Sequence, residues 1–140
     1  MKPFIKIVTL IVDDLDRSLA FYRDGMGLET EGIFGTEFEH GAVVFFHLRH
    51  GLILALWPKT SLAAESNIPL EEIRTGGVSL GHNVRSREEV DEVMAQAERA
   101  GATITAPARD RLFAGNSGFF RDPDGHIWEV DWNPGLMPEE

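Results

Sequence analysis

Apolar runs along the chain alternate with polar stretches whose spacing changes between a period of two and a helical period. The run Ile5 to Val12 is rich in β-branched residues and predicts a buried strand, stopped by Asp13-Asp14. A helix should follow. Asp14 fits an N-cap, and Leu15, Ser18, Leu19, Tyr22 and Met26 fall along one helix face, with Gly25 and Gly27 closing the element. A strand is expected around Glu31 to Phe34, and the runs Val43 to Leu48 and Leu52 to Trp57, separated by Arg49-His50-Gly51, predict an antiparallel hairpin. The first half therefore reads strand, helix, three strands.

The second half repeats this order. A strand is expected from about Val78 to Val84, then a helix opened by Ser86-Arg87-Glu88-Glu89 in the pattern of a capping box. Its apolar stripe is Val90, Val93, Met94 and Ala97, and Gly101 ends it. Strands follow at Thr103 to Ala106, Gly118 to Arg121 and Ile127 to Trp132, the last reached through the turn Asp122-Pro123-Asp124-Gly125. The segment from His50 to Leu56 lies over that from Asp124 to Val130, and Val12 over Val84, so the halves align as copies that differ by a short loop insertion.

One copy has a single helix to cover one sheet face, so two copies are expected to pair. The expected fold class is α+β, two βαβββ modules paired into a curved mixed sheet around a shared cavity, where function should reside. The expected organisation is a single domain over 1–140, with a first module at 1–60, a linker at 61–77 and a second module at 78–135. The linker reading rests on Pro69, on Gly76-Gly77 and on a lack of periodicity beyond one short helical turn.

Composition narrows the functional classes. With 43% hydrophobic and 26% charged residues in a chain of 140, the sequence is that of a folded domain, not a disordered or fibrous one. The formal charge of −10, from 23 acidic and 13 basic residues, disfavours nucleic acid and anionic membrane as partners and leaves a cationic small molecule open. The absence of cysteine excludes disulfides, thiolate nucleophiles and Cys-based metal sites, and accords with a cytoplasmic location. The run Phe4 to Val12 is interrupted by Lys6 and has no cleavage-site pattern, so it reads neither as a signal peptide nor as a membrane span.

The segment from Asp14 to Tyr22, followed by Gly27-Leu28, and the late run from Gly118 to Val130 resemble the vicinal oxygen chelate superfamily of glyoxalase I, bleomycin-resistance proteins and extradiol dioxygenases. The resemblance spans nearly the whole chain. It implies paired βαβββ modules, usually a homodimer, and in the enzymatic members a divalent metal held by His, Glu or Gln from the first and last strands of each copy. Carried over position by position, those places hold Ile7, Ala55, Ser79 and Glu129. One carboxylate beside Ile, Ala and Ser cannot compete with water for a divalent ion, so no cofactor is expected. A divalent metal enters only under the alternative of a lyase, isomerase or dioxygenase using Glu129 and a histidine.

The histidines show no ligand spacing. His82 follows Ser79 by an odd step and is expected on the helix side, while His40, His47 and His50 read as surface and His126 as turn packing. Period-two alternation places Ile53, Ala55 and Trp57 on one side of their strand, Ser79, Gly81 and Asn83 on one side of theirs, and Ile127, Glu129 and Asp131 on one side of the last. Trp57 offers a stacking surface, or alternatively a plug or a dimer contact. Phe45, Phe46, Phe119 and Phe120 read as core, and Trp128 and Trp132 as helix-side. The stretch Arg109 to Gly118, which contains Phe113, reads as a loop able to cover a cavity mouth.

The function these residues predict is metal-free binding of a small aromatic or cationic organic molecule by a homodimer. Trp57 and Phe113 would supply apolar surface, Glu129 and Asn83 orientation, and Ser79 and Ala55 would complete the lining. A metal-free enzyme with Glu129 as general base is a further alternative.

Overall fold

In the computed structural model, which describes residues 1–111 and 115–138, the β-branched run at the start forms β1 (Ile7–Val12). Asp14 caps α1 (Leu15–Leu19), its carboxylate accepting a hydrogen bond from the Arg17 amide at 3.1 Å. The helix then widens into a π-turn over Ala20–Gly25. That extra width brings Phe21 beside Tyr22 in the core, each 2% exposed, where a straight α-helical stripe predicts Tyr22 alone.

The hairpin forms as β2 (Val44–His47) and β3 (Ile53–Pro58) around the turn Arg49–Gly51. The sheet runs in the order β1-β3-β2, with β1 parallel to β3 and β2 antiparallel to it. The strand expected at Glu31 to Phe34 is corrected to one isolated bridge, Phe34 to Val43. Gly32 and Gly35 both adopt positive φ, which interrupts extended backbone there. Thr30 ties the segment to the sheet instead, its hydroxyl donating to the Phe45 carbonyl at 2.6 Å and accepting from the Gly32 amide at 3.2 Å.

After β3 the chain enters α2 (Lys59–Ser66), ended by Asn67 in the left-handed region, where the sequence predicts no more than one helical turn. Polar and small residues alternate around α2 without a strong apolar stripe, so periodicity does not reveal it. Lys59 anchors its start to Asp13, Nζ to Oδ1 3.2 Å.

The second sheet holds β4 (Ser79–Asn83), β5 (Thr103–Asp110), β6 (Asn116–Arg121) and β7 (Ile127–Trp132), in the order β4-β7-β6-β5, with α3 (Arg87–Ala100) between β4 and β5. Ser86 Oγ accepts the Glu89 amide at 3.1 Å, whereas the Glu89 carboxylate takes the Arg85 amide at 2.8 Å, one residue before the reciprocal partner of a full capping box. Val90, Met94 and Ala97 are buried on one face of α3, and Gly101, at φ 112°, ends it. β5 and β6 both run longer than the sequence predicts. Pro107 argues against a strand, yet β5 is an edge strand with two register shifts, a setting that tolerates a missing N–H. The loop expected over Arg109 to Gly118 is therefore corrected, since Arg109 and Asp110 belong to β5 and Asn116 to Gly118 belong to β6.

The two sheets belong to two units, Met1–Arg74 and Thr75–Glu140, and each follows a βαβββ-like order. In the first, Leu10, Val12, Leu54, Leu56, Val44 and Phe46 pack toward α1 and the π-turn; in the second, Val130 and Phe120 pack toward α3. Among the described residues no helix is long and apolar enough to cross a membrane.

The β6–β7 hairpin fixes the register of the last strand. Asp122, 4% exposed, accepts the amides of Asp124 at 2.9 Å and His126 at 2.8 Å through one carboxylate oxygen. Asp122→Ala leaves both donors short of a partner and is expected to cost about 2–3 kcal/mol, read as a lower urea midpoint at unchanged slope.

Candidate functional site

In the second sheet β7 lies between β4 and β6, and pairing across all three strands aligns Gly81, Glu129 and Phe119 in one row. Neighbouring rows set Ser79, Ile127 and Arg121 together, then Asn83, Asp131 and Ser117. These residues share the face turned away from α3, because Val130 between Glu129 and Asp131 is the residue buried toward the helix.

Glu129 is half-buried, and its carboxylate makes no hydrogen bond or ion pair among the described residues. On one side its register partner is Phe119. On the other is bare backbone at Gly81, where an added methyl would touch only Asn83 Oδ1, 3.7 Å away. Asn83 is held in turn by donating from Nδ2 to the Leu136 carbonyl at 3.3 Å.

Arg111 completes the face. Its Nε donates to Ser117 Oγ at 2.7 Å and its Nη2 to the Ser117 carbonyl at 2.9 Å, and the guanidinium lies over the Phe119 ring with Cζ 5.5 Å from the centroid. Desolvation raises the Asp131 carboxyl above the usual aspartate range, opposed by the attraction of Arg111.

In the first sheet, Trp57 and Ala55 lie on one face with Ile53, opposite Ile11, Thr9 and Ile7 of β1. Ala55 is 2% exposed, at the centre of its sheet between Thr9 and Phe45. Trp57 is half-buried and donates from Nε1 to the His40 carbonyl at 3.0 Å, so the ring's polar edge is committed to its own module. That carbonyl is presented by a tight loop: a Cβ at Gly35 would overlap the Gly41 carbonyl, and one at Gly41 would overlap that of Gly35.

The structure thus gathers Ser79, Asn83 and Glu129 on one sheet and Ala55 and Trp57 on the other, while Phe113 lies outside the described residues. Ser79 sits two positions from the Glu129 row, exposed. The aromatic expectations divide by strand parity. Phe46 and Phe120 are core, at 1% and 2% exposure, whereas Phe45 and Phe119 point to the opposite faces and are half-buried, which corrects their reading as core. Arg111, Ser117 and Phe119 are the site residues that sequence reasoning missed. Counting outward from the Asp122–His126 turn pairs Phe119 with Glu129 and could have found that contact; the reach of Arg111 has no comparable signal.

At the four positions that the resemblance assigns to metal ligands, only Ser79 and Glu129 offer side-chain oxygen, and Ile7 and Ala55 offer none. Among the described residues no three His, Cys, Asp or Glu side chains converge as a metal set. These residues do not fit a divalent ion.

His82 pairs with Val130 and so faces α3. Desolvation lowers its pKa, with Glu89 opposing, even though part of the side chain is exposed. Its unfolded pKa therefore exceeds the folded one, and the unfolded chain binds the proton first as pH falls below about 6.5. Stability is expected to fall through that window. His82→Gln removes this contribution, so urea unfolding at pH 7.5 and pH 5 should show a smaller acid loss in the variant than in the parent.

Compared with known proteins, residues 5–130 match the family model described as the Glyoxalase/Bleomycin resistance protein/Dioxygenase superfamily. The chain is similar to a glyoxalase-related enzyme from Fulvimarina pelagi, with 31% identity, a TM-score of 0.80, and coverage of 94% of this chain and 89% of that one. It is similar to a lactoylglutathione lyase from Agrobacterium tumefaciens, with 25% identity, a TM-score of 0.70, and coverage of 99% and 100%. It shares its fold with a fosfomycin resistance protein from Listeria monocytogenes complexed with Mn(II) and 1S,2S-dihydroxypropylphosphonic acid, with 24% identity, a TM-score of 0.65, and coverage of 94% and 90%. No curated protein sequence matches.

Proposed function

Because the chain belongs to the Glyoxalase/Bleomycin resistance protein/Dioxygenase superfamily, we propose that it binds a small organic molecule bearing an aromatic ring and a cationic group, without a metal. The observation that carries this reading is Glu129, a half-buried carboxylate with no internal partner among the described residues, in strand register between Phe119 and the bare backbone of Gly81. A carboxylate in that setting attracts a ligand cation, while the ring beside it takes apolar ligand surface at about 25 cal/mol per Å² buried.

Asn83 orients the ligand, and Ser79, on the same face of the second sheet, leaves room for it. The protein acts in the cytoplasm as a homodimer that sequesters or recognises its ligand. The competing reading is a metal-dependent lyase, isomerase or dioxygenase built on Glu129 and a histidine, which the similarity to the lactoylglutathione lyase from Agrobacterium tumefaciens supports.

Thermal melting of chelator-treated protein separates the two. An aromatic amine at about 100 times its Kd adds about 2.7 kcal/mol of stability, a rise of several degrees. A melt that moves only with Mn²⁺, Ni²⁺, Zn²⁺ or Fe²⁺ would favour the metal enzyme instead.

A further inference from the structure

The face that carries Glu129 also holds a cation with no ion-pair partner among the described residues. Arg111 is half-buried, and among the described residues its guanidinium hydrogen-bonds only to neutral Ser117, through Nε and Nη2, so Nη1 makes no hydrogen bond there. Asp131 attracts the guanidinium but forms no ion pair with it. In a chain of net charge −10, Asp131 is the carboxylate that acts on this arginine electrostatically, and the hydrogen bonds of the guanidinium go to Ser117 instead.

The two Ser117 contacts and the Phe119 ring fix the plane of the guanidinium, and its remaining donors keep the fork geometry that suits a carboxylate. Glu129 stands directly across from Phe119, with Cβ atoms about 5 Å apart for such a pair. Phe119 therefore has a cation over its ring and an anion as its cross-strand partner, neither in an ion pair among the described residues.

We infer that the ligand is an aromatic zwitterion, its anionic group taken by Arg111 and its cationic group by Glu129 across the Phe119 ring. This inference rests on the proposed binding function and narrows its ligand class. A purely anionic aromatic faces two carboxylates, Glu129 and Asp131, against one arginine. A purely cationic aromatic leaves the Arg111 fork unfilled and sets like charges near each other. Only a molecule with both charges at opposite ends of a ring satisfies both groups.

Three probes of matched size test this by calorimetry: 4-(aminomethyl)benzoate, benzylamine and benzoate. The zwitterion is expected to bind about tenfold or more tighter than benzylamine, as one added charge-assisted contact implies, with benzoate weakest. Arg111→Gln should collapse the preference for the zwitterion over benzylamine to about one, and Arg111→Lys, which keeps the charge without the fork, should retain part of it. Benzylamine binding the parent as tightly as the zwitterion, or Arg111→Gln keeping the preference, overturns this inference while leaving cation binding in place. Failure of all three probes to bind overturns the underlying function as well.

Discussion

Phe46→Ala is expected to lower the unfolding free energy by about 3–5 kcal/mol, the range for emptying a buried aromatic site. Phe46 is 1% exposed and packs against Tyr22 with centroids 5.9 Å apart, and Tyr22 meets Phe21 edge-on at 4.8 Å. These three rings join β2 to the π-turn after α1, so the cavity has rigid walls that cannot collapse into it. Against a typical total of about 5–15 kcal/mol, the loss removes about a fifth of the stability or more. Phe45, one residue earlier, faces the other way, is half-buried and touches Phe34 at 5.2 Å. Phe45→Ala should cost less than half as much, and urea unfolding of the two variants side by side measures the difference.

Glu129→Gln is expected to weaken binding of an aromatic amine by about 10- to 100-fold, equal to about 1.4–2.8 kcal/mol. The amide keeps the size and polarity of the carboxylate and removes only its charge. Because the carboxylate has no internal partner among the described residues, the same change should leave stability within about 0.5 kcal/mol of the parent. Calorimetric titration paired with urea unfolding reads both quantities. A structural carboxylate would show the reverse pattern, a loss of stability with affinity retained.

The parts of the fold legible in the sequence are those where one local signal dominates. β7 runs from Ile127 to Trp132 as the alternation predicts, because the Asp122 turn fixes where the hairpin begins. Ser86 and Gly101 delimit α3 for similarly local reasons, a cap at one end and a left-handed residue at the other. Where tertiary contacts overrule the local pattern, the reading departs from the structure. The segment from Glu31 to Phe34 has strand-like residues, but Gly32 and Gly35 turn it and the Thr30 hydroxyl replaces the ladder. α2 lacks an apolar stripe, and Phe21 enters the core through a π-turn that a period of 3.6 cannot anticipate.

The site shows the same division. Parity along β4 and β7 places Ser79, Asn83 and Glu129 on a shared face, since a strand leaves each side chain one of two sides. The aromatic neighbour of Glu129 depends on the hairpin register, and Arg111 depends on how β5 and β6 pair and on two hydrogen bonds to Ser117. Side-chain reach of that kind is settled by three-dimensional packing, not by spacing.

The most direct test is a backbone NMR titration of chelator-treated protein with benzylamine. Metal-free binding beside Glu129 predicts saturable shifts centred on the amides of Gly81, Phe119 and Glu129, with none required from added metal. Shifts centred on other residues, or binding that begins only once Mn²⁺ is supplied, would contradict the account.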